Sequence, residues 1–218
     1  MKKLITFFMV AVCIFLAACS GDSVTNSIYE HLEKSVELEQ PFVENQQELI
    51  NLDNKEHEIY EQLIELSADE MDKINELVEE AKNTIEEREA LLKEELDIMG
   101  TANEEFIKVK DLVSKLKEEN QKEKAEKLIA TMEQRYETFQ ELNELSVASL
   151  NENKKLYDLF KSEELTEDEL KQQIEAVNAT YDKEAEISNK FNELTEQYNQ
   201  EKRQFYETTD LNVAFDEE

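Results

Sequence analysis

The chain has 218 residues, and 54 Asp and Glu outweigh 24 Lys and Arg to give a formal net charge of −30. That charge opposes nucleic acid and anionic head groups, both of which need a cationic face. Two glycines, one proline and no tryptophan are too few turn-formers for a sheet-rich fold, and the excess of Glu, Lys, Leu, Gln and Ala favours a few long helices.

The first element is a leader. Lys2 and Lys3 precede an apolar run from Leu4 to Leu16 broken only by Thr6, and Leu16-Ala17-Ala18-Cys19 closes it. The run is too short to span a bilayer, and charge, apolar stretch and small residues follow in the order of a secretory signal. A cysteine directly after the small residues is the pattern of a bacterial lipoprotein signal; an ordinary secretion signal or a short anchor is the alternative. Residues 1–18 are therefore expected to be removed. Cys19 then carries lipid on its sulfur, palmitate included, and residues 19–27 form a short tether. Cys13 leaves with the leader, so the mature chain keeps no free thiol for a disulfide or a metal.

Four long helices are expected next, at about 28–65, 68–118, 121–162 and 167–207, followed by an acidic tail over 208–218. The first carries Ile28, Leu32, Val36, Val43, Ile50, Tyr60 and Ile64, and Pro41 should kink it or mark its true start. The second has the clearest stripe, Met71, Ile74, Val78, Ala81, Ile85, Leu92, Met99, Ala102, Phe106, Val109, Val113 and Leu116, in steps of three, four or seven. Leu77, Leu91, Ile98 and Leu112 widen it, and Gly100 interrupts it. The third runs Ala125, Ile129, Met132, Tyr136, Phe139, Leu150, Tyr157 and Phe160, the fourth Leu170, Ile174, Val177, Tyr181, Phe191, Tyr198 and Phe205.

Ser67…Glu70 and Thr166…Glu169 read as capping boxes, each with a leucine just before it, and Ser27…Glu30 and Asn120…Glu123 fit more loosely. Glu65–Met71 parallels Glu164–Leu170 residue for residue, which suggests two helical hairpins of one design. Short connections force neighbouring helices antiparallel. The expected fold class is all-α: an elongated four-helix up-and-down antiparallel bundle of long amphipathic helices, coiled-coil-like in its spacing, over residues 28–207.

No catalytic residue, cofactor site or metal site is expected. His31 and His57 are the only histidines, and neither lies in a His-Glu-x-x-His arrangement; His57 falls on the Val43–Ile50–Ile64 row and is expected to face the interior. Polar residues do enter the stripes: Gln46 and Asp53 in the first helix, Arg88 and Glu95 in the second, Asn143, Ser146 and Asn153 in the third. They read as a polar core layer that fixes register, with Arg88 paired to a carboxylate; the sharper alternative is a small polar ligand pocket between helices. The pairs Glu79-Glu80, Glu86-Glu87, Glu94-Glu95 and Glu104-Glu105 read as solvated faces.

With the Cys19 motif, a helical ectodomain of about 200 residues and the Pro41-Phe42 break, the chain resembles the YkyA-like cell-wall-binding lipoproteins of Gram-positive bacteria. The resemblance covers nearly the whole chain and implies a four-helix bundle, attachment to the outer face of the cytoplasmic membrane and a role at the cell wall. It carries over no site residue. Without tryptophan there is no ready sugar-stacking platform, and anionic wall polymers would need divalent cations to bridge them to so acidic a surface. The expected partners are thus the membrane, through the lipid on Cys19, and a cell-wall polymer or an envelope protein, with no nucleic acid. The leading reading is a non-enzymatic envelope-binding or scaffolding lipoprotein, monomeric or weakly dimeric. A surface module for a protein or small ligand comes second, and an envelope hydrolase last.

Overall fold

The computed structural model describes residues 24–162, 164–211 and 213, and every regular element among them is helical. Residues 1–18, Cys19 and the start of the tether lie outside the described residues. α1 spans Val24–Leu38, α2 Gln40–Leu63, α3 Met71–Val113, α4 Glu119–Phe160 and α5 Glu167–Glu207, with a single 3-10 turn, Ala68–Glu70, leading into α3.

The first expected helix is two helices. The Glu39 N–H reaches both Ser35 O and Val36 O at 3.2 Å as α1 closes. Pro41 then occupies the second position of α2, where a missing N–H costs nothing. The buried row keeps its phase across the break: Ile28, Ser35, Phe42, Glu56 and Leu63 are all buried and fall on one seven-residue repeat. α2 buries Phe42, Leu52, Glu56, Ile59 and Leu63, whereas Ile50 and Ile64 are 46% and 54% exposed. The expected row through Val36, Val43, Ile50 and Ile64 runs one residue out of step with that repeat on both sides of the break, and Val36 and Val43 are only half-buried. α1 also starts at Val24, so Ser27 lies inside the helix instead of capping it, and α4 starts at Glu119, one residue before Asn120.

The two stronger helix starts form as their sequences require. The Glu70 carboxylate accepts the Ser67 N–H at 3.1 Å. At α5 the exchange is reciprocal: Glu169 accepts the Thr166 N–H at 3.0 Å, and Thr166 Oγ1 accepts the Glu169 N–H at 3.3 Å. Leu66 and Met71 pack against one apolar cluster, as a staple across the cap demands.

The chain divides into two compact units. Among the described residues, unit 1 comprises 24–39, 100–137 and those from 191 to 213, and unit 2 comprises those of 40–99 and 138–190. The core of unit 1 is built from Ile28, Leu32, Phe106, Val109, Leu128, Met132, Phe205 and Tyr206, among others. Within it, His31 meets Glu105 and Ser35 meets Ala102, so α1 and the last part of α3 run antiparallel. Lys124–Gln204 and Arg135–Thr195 show the same for α4 and α5. The segment expected as a free tail contributes here: Thr208 and Thr209 hydroxyls donate to the Phe205 and Tyr206 carbonyls at 2.6 and 2.7 Å, and Leu211 and Val213 pack on the core.

Unit 2 is built around Ile59, Leu63, Ile74, Val78, Ala81, Ile85, Leu150 and Tyr157. Its α3–α4 ion pairs, Glu79–Lys161, Lys82–Asp158 and Glu89–Lys154, step down α4 as they step up α3, the signature of antiparallel neighbours.

Gly100 does not interrupt α3. A Cβ added there would meet only Tyr136 Oη, at 3.6 Å, an ordinary contact. Gly100→Ala should therefore stabilise the protein by about 1 kcal/mol, the helix-propensity difference, and raise its Tm. A lower Tm would show that the glycine's freedom is needed.

Candidate functional site

Unit 2 gathers most of the polar residues that interrupt the stripes. α2 supplies Asp53 and Glu56, α3 Arg88, α4 Asn153 and Tyr157, and α5 Tyr181. Arg88 binds the Glu56 carboxylate through Nη1 and Asp53 Oδ1 through Nη2, the latter at 3.0 Å. Asn153 Nδ2 donates to Glu56 Oε1 at 2.9 Å and to Tyr181 Oη at 2.7 Å, and Tyr157 Oη donates to the Glu56 carbonyl at 3.3 Å. Burial pushes the Glu56 carboxyl up, and the adjacent Arg88 cation pulls it back toward ionisation. Burial works against the Arg88 charge in turn, but Glu56 and Asp53 outweigh it and hold the guanidinium firmly protonated. The Tyr157 and Tyr181 hydroxyls are driven up by burial and by the Glu56 charge.

Each Arg88 Nη gives one N–H to a carboxylate, and Nε is buried without a partner among the described residues. The layer is thus suited to fixing the register of the four segments that meet there. Glu56 is the member that sequence reasoning missed, because the first helix was read on the neighbouring row, one residue out of step, which runs through His57.

A second polar contact in unit 2 is leaner. Glu95 is 2% exposed and accepts one hydrogen bond, from Gln46 Nε2 at 2.7 Å. Burial raises its carboxyl to about 7, with the Glu94 charge adding to the rise and the Gln46 bond opposing it. Glu95 therefore departs from the solvated face expected of Glu94-Glu95. One turn away Asn143 Nδ2 donates to the Leu92 carbonyl at 2.7 Å, and Ser146 Oγ donates to Glu184 Oε1 at 2.7 Å.

Unit 1 holds a cluster that the stripes did not announce. Arg135 grips Glu39 with both Nη atoms at 2.8 Å, donates from Nε to Thr195 Oγ1 at 2.9 Å and lies 4.8 Å from the Phe191 ring centroid. Glu39 lies seven residues after the buried Leu32 and so keeps to the inward side of the chain. Arg135 sits beside the expected Met132–Tyr136–Phe139 row, on a second row, Leu128–Arg135, that is also buried. Nearby, Glu33 Oε1 accepts from Tyr206 Oη at 2.7 Å and Lys202 Nζ at 3.1 Å.

The histidines diverge. His31 Nδ1 lies 2.6 Å from Glu105 Oε1 in a half-buried setting. His57, expected inside, turns outward with its row and sits 3.1 Å from Glu61, one helical turn on. Among the described residues no group of three or more His, Cys, Asp and Glu side chains could hold a metal ion, and no helix is long and apolar enough to cross a membrane.

The YkyA family, described as "Putative cell-wall binding lipoprotein", matches residues 23–208. The chain belongs to the YkyA family. It is similar to the "Uncharacterized lipoprotein YkyA" of Bacillus subtilis (strain 168), with 36% identity over 160 residues that cover 73% of this chain and 72% of the relative. Its fold is similar to that of a conserved protein of unknown function from Staphylococcus aureus, solved by crystallography, with a TM-score of 0.71 at 15% identity over 86% of this chain and 97% of the other. YkyA is a family of binding lipoproteins by name, which implies a membrane-anchored surface location and association with the cell envelope.

Proposed function

We propose that this YkyA-family chain is a non-enzymatic lipoprotein, cleaved before Cys19, acylated there and held on the outer face of the cytoplasmic membrane, where it binds or scaffolds cell-wall polymer. The observation that carries the reading is the family match over residues 23–208, joined to the run Leu16-Ala17-Ala18-Cys19. Two fatty chains on one cysteine give stable anchoring without a transmembrane helix. The antiparallel pairing inside each unit supports an up-and-down bundle as the presented body. Its acidic surface meets an anionic wall polymer favourably only with divalent cations between them.

The mature domain should accordingly be retained by purified peptidoglycan carrying its anionic polymers when calcium is present, and released by a chelator. Absence of retention in both conditions would overturn direct wall binding. It would favour the second reading, a helical face for an envelope protein, which the exposure of Ile50 on α2 and of Ile64 just after it supports.

A further inference from the structure

The most basic stretch of this acidic chain lies at the end of unit 1 from which the chain leaves toward Cys19. Residues 108–117 hold four lysines against one aspartate. Val24, where α1 begins, packs against the same apolar cluster as Leu112, Val113, Leu116 and Leu211. Gln121 Nε2 donates to the Thr208 carbonyl at 2.8 Å, and the Tyr29 and Tyr206 rings lie 5.3 Å apart. The start of α1, the α3–α4 turn and the end of α5 therefore share one end of the unit. In that turn Lys115 and Lys117 are exposed and form no ion pair with a described residue. Lys108 and Lys110, two turns and one turn back, are committed to Glu105 and Glu133. Acids are present too: Glu118 and Glu119 open α4, with Lys122 3.9 Å from Glu119, and Glu123 and Asp210 are exposed.

We propose that Lys115 and Lys117 form a seat for anionic lipid head groups and set the orientation of unit 1 on the membrane that holds Cys19. The proposal rests on acylation of Cys19. Only residues 20–23 separate Cys19 from Val24, a reach of roughly 18 Å. The tether thus brings this end close to the bilayer, where a lysine feels the surface potential within a Debye length of about 8 Å. Two lysines cannot hold an acidic protein on a membrane unaided. Once acyl chains have supplied the anchoring, a weak local attraction is enough to choose which face turns down, while the strongly acidic remainder is repelled outward.

The test uses the full acylated chain, extracted in detergent and reconstituted into vesicles of neutral phosphatidylcholine with or without 30% phosphatidylglycerol. With Cys19 acylated, Asn120→Cys supplies a single thiol for a dye beside the turn. Quenching of that dye by a head-group spin label should be at least twofold stronger in the anionic vesicles, and Lys115→Glu with Lys117→Glu should erase the difference. Quenching that ignores lipid composition, or that survives the double charge reversal, overturns the seat while leaving the anchor intact. Failure of the chain to float with neutral vesicles overturns the anchor, and the seat with it.

Discussion

Arg135→Ala is expected to be among the most destabilising single substitutions in the protein, costing about 3–5 kcal/mol. The guanidinium is 2% exposed as a residue and bound to both oxygens of Glu39, to Thr195 and to the Phe191 face. Truncation leaves the Glu39 carboxylate partly buried without its counter-charge, and that penalty outweighs the lost bonds. The replacement of both partners by apolar residues, Arg135→Met with Glu39→Leu, should recover most of the loss, because a buried pair contributes little net stability over a well-packed apolar one. Urea denaturation of the two variants checks this. A single mutant within 1 kcal/mol of wild type would mean that the bidentate pair is not made in solution.

Glu95→Gln should do the reverse and stabilise the protein at neutral and alkaline pH. The folded carboxyl is raised to about 7 from an ordinary value of 4.5. A raised carboxyl binds its proton more tightly folded than unfolded. Its stabilising contribution is complete below about 4.5 and is lost as the pH climbs through the folded value near 7. At about 1.4 kcal/mol per pH unit, the shift sets an upper limit of about 3.5 kcal/mol. Glutamine keeps an oxygen for the Gln46 donor but has no charge to desolvate. The variant should match wild type near pH 4 and exceed it by about 2–3 kcal/mol at pH 8. A stability difference that stays constant between those pH values would rule out buried ionisation at Glu95 as its cause.

The helices were legible because their signals were redundant. The α3 stripe from Ile74 to Leu116 repeats its apolar spacing over twelve turns, and the rows that it names are buried. The boxes at Ser67 and Thr166 stop and restart the chain with local hydrogen bonds, which need no knowledge of neighbours. What failed was phase. Val36 and Val43 make an apolar row one residue out of step with the buried Ile28–Ser35–Phe42–Glu56–Leu63 row, and the polar Ser35 and Glu56 disguise the row that turns inward. Tertiary packing chose Phe42, which meets Phe139 edge-on at 5.6 Å. His57 was misplaced and Glu56 missed for that one reason. The polar layer was half visible: Arg88 and Asn153 stood out as polar residues on apolar rows, whereas Arg135 and Glu39 are joined across 96 positions of sequence and leave no local pattern. The proposed leader and Cys19 are a different kind of signal, one that processing enzymes and not packing would read.

The division of the chain has a consequence for the order in which the protein is made. Unit 2 draws on two stretches, 40–99 and 138–190, and its last residue emerges before the final segment of unit 1. Unit 1 draws on three, and its core needs Tyr198, Phe205 and Tyr206. A chain delivered N-terminus first can therefore complete unit 2 while Ile28, Leu32 and Phe106 still wait for α5. Shortening the chain before Phe205 should leave unit 2 able to assemble and unit 1 open, with its apolar surface available to chaperones and proteases. α5 is thus the element that closes unit 1, because Tyr198, Phe205 and Tyr206 cover the core that Ile28, Leu32 and Phe106 begin.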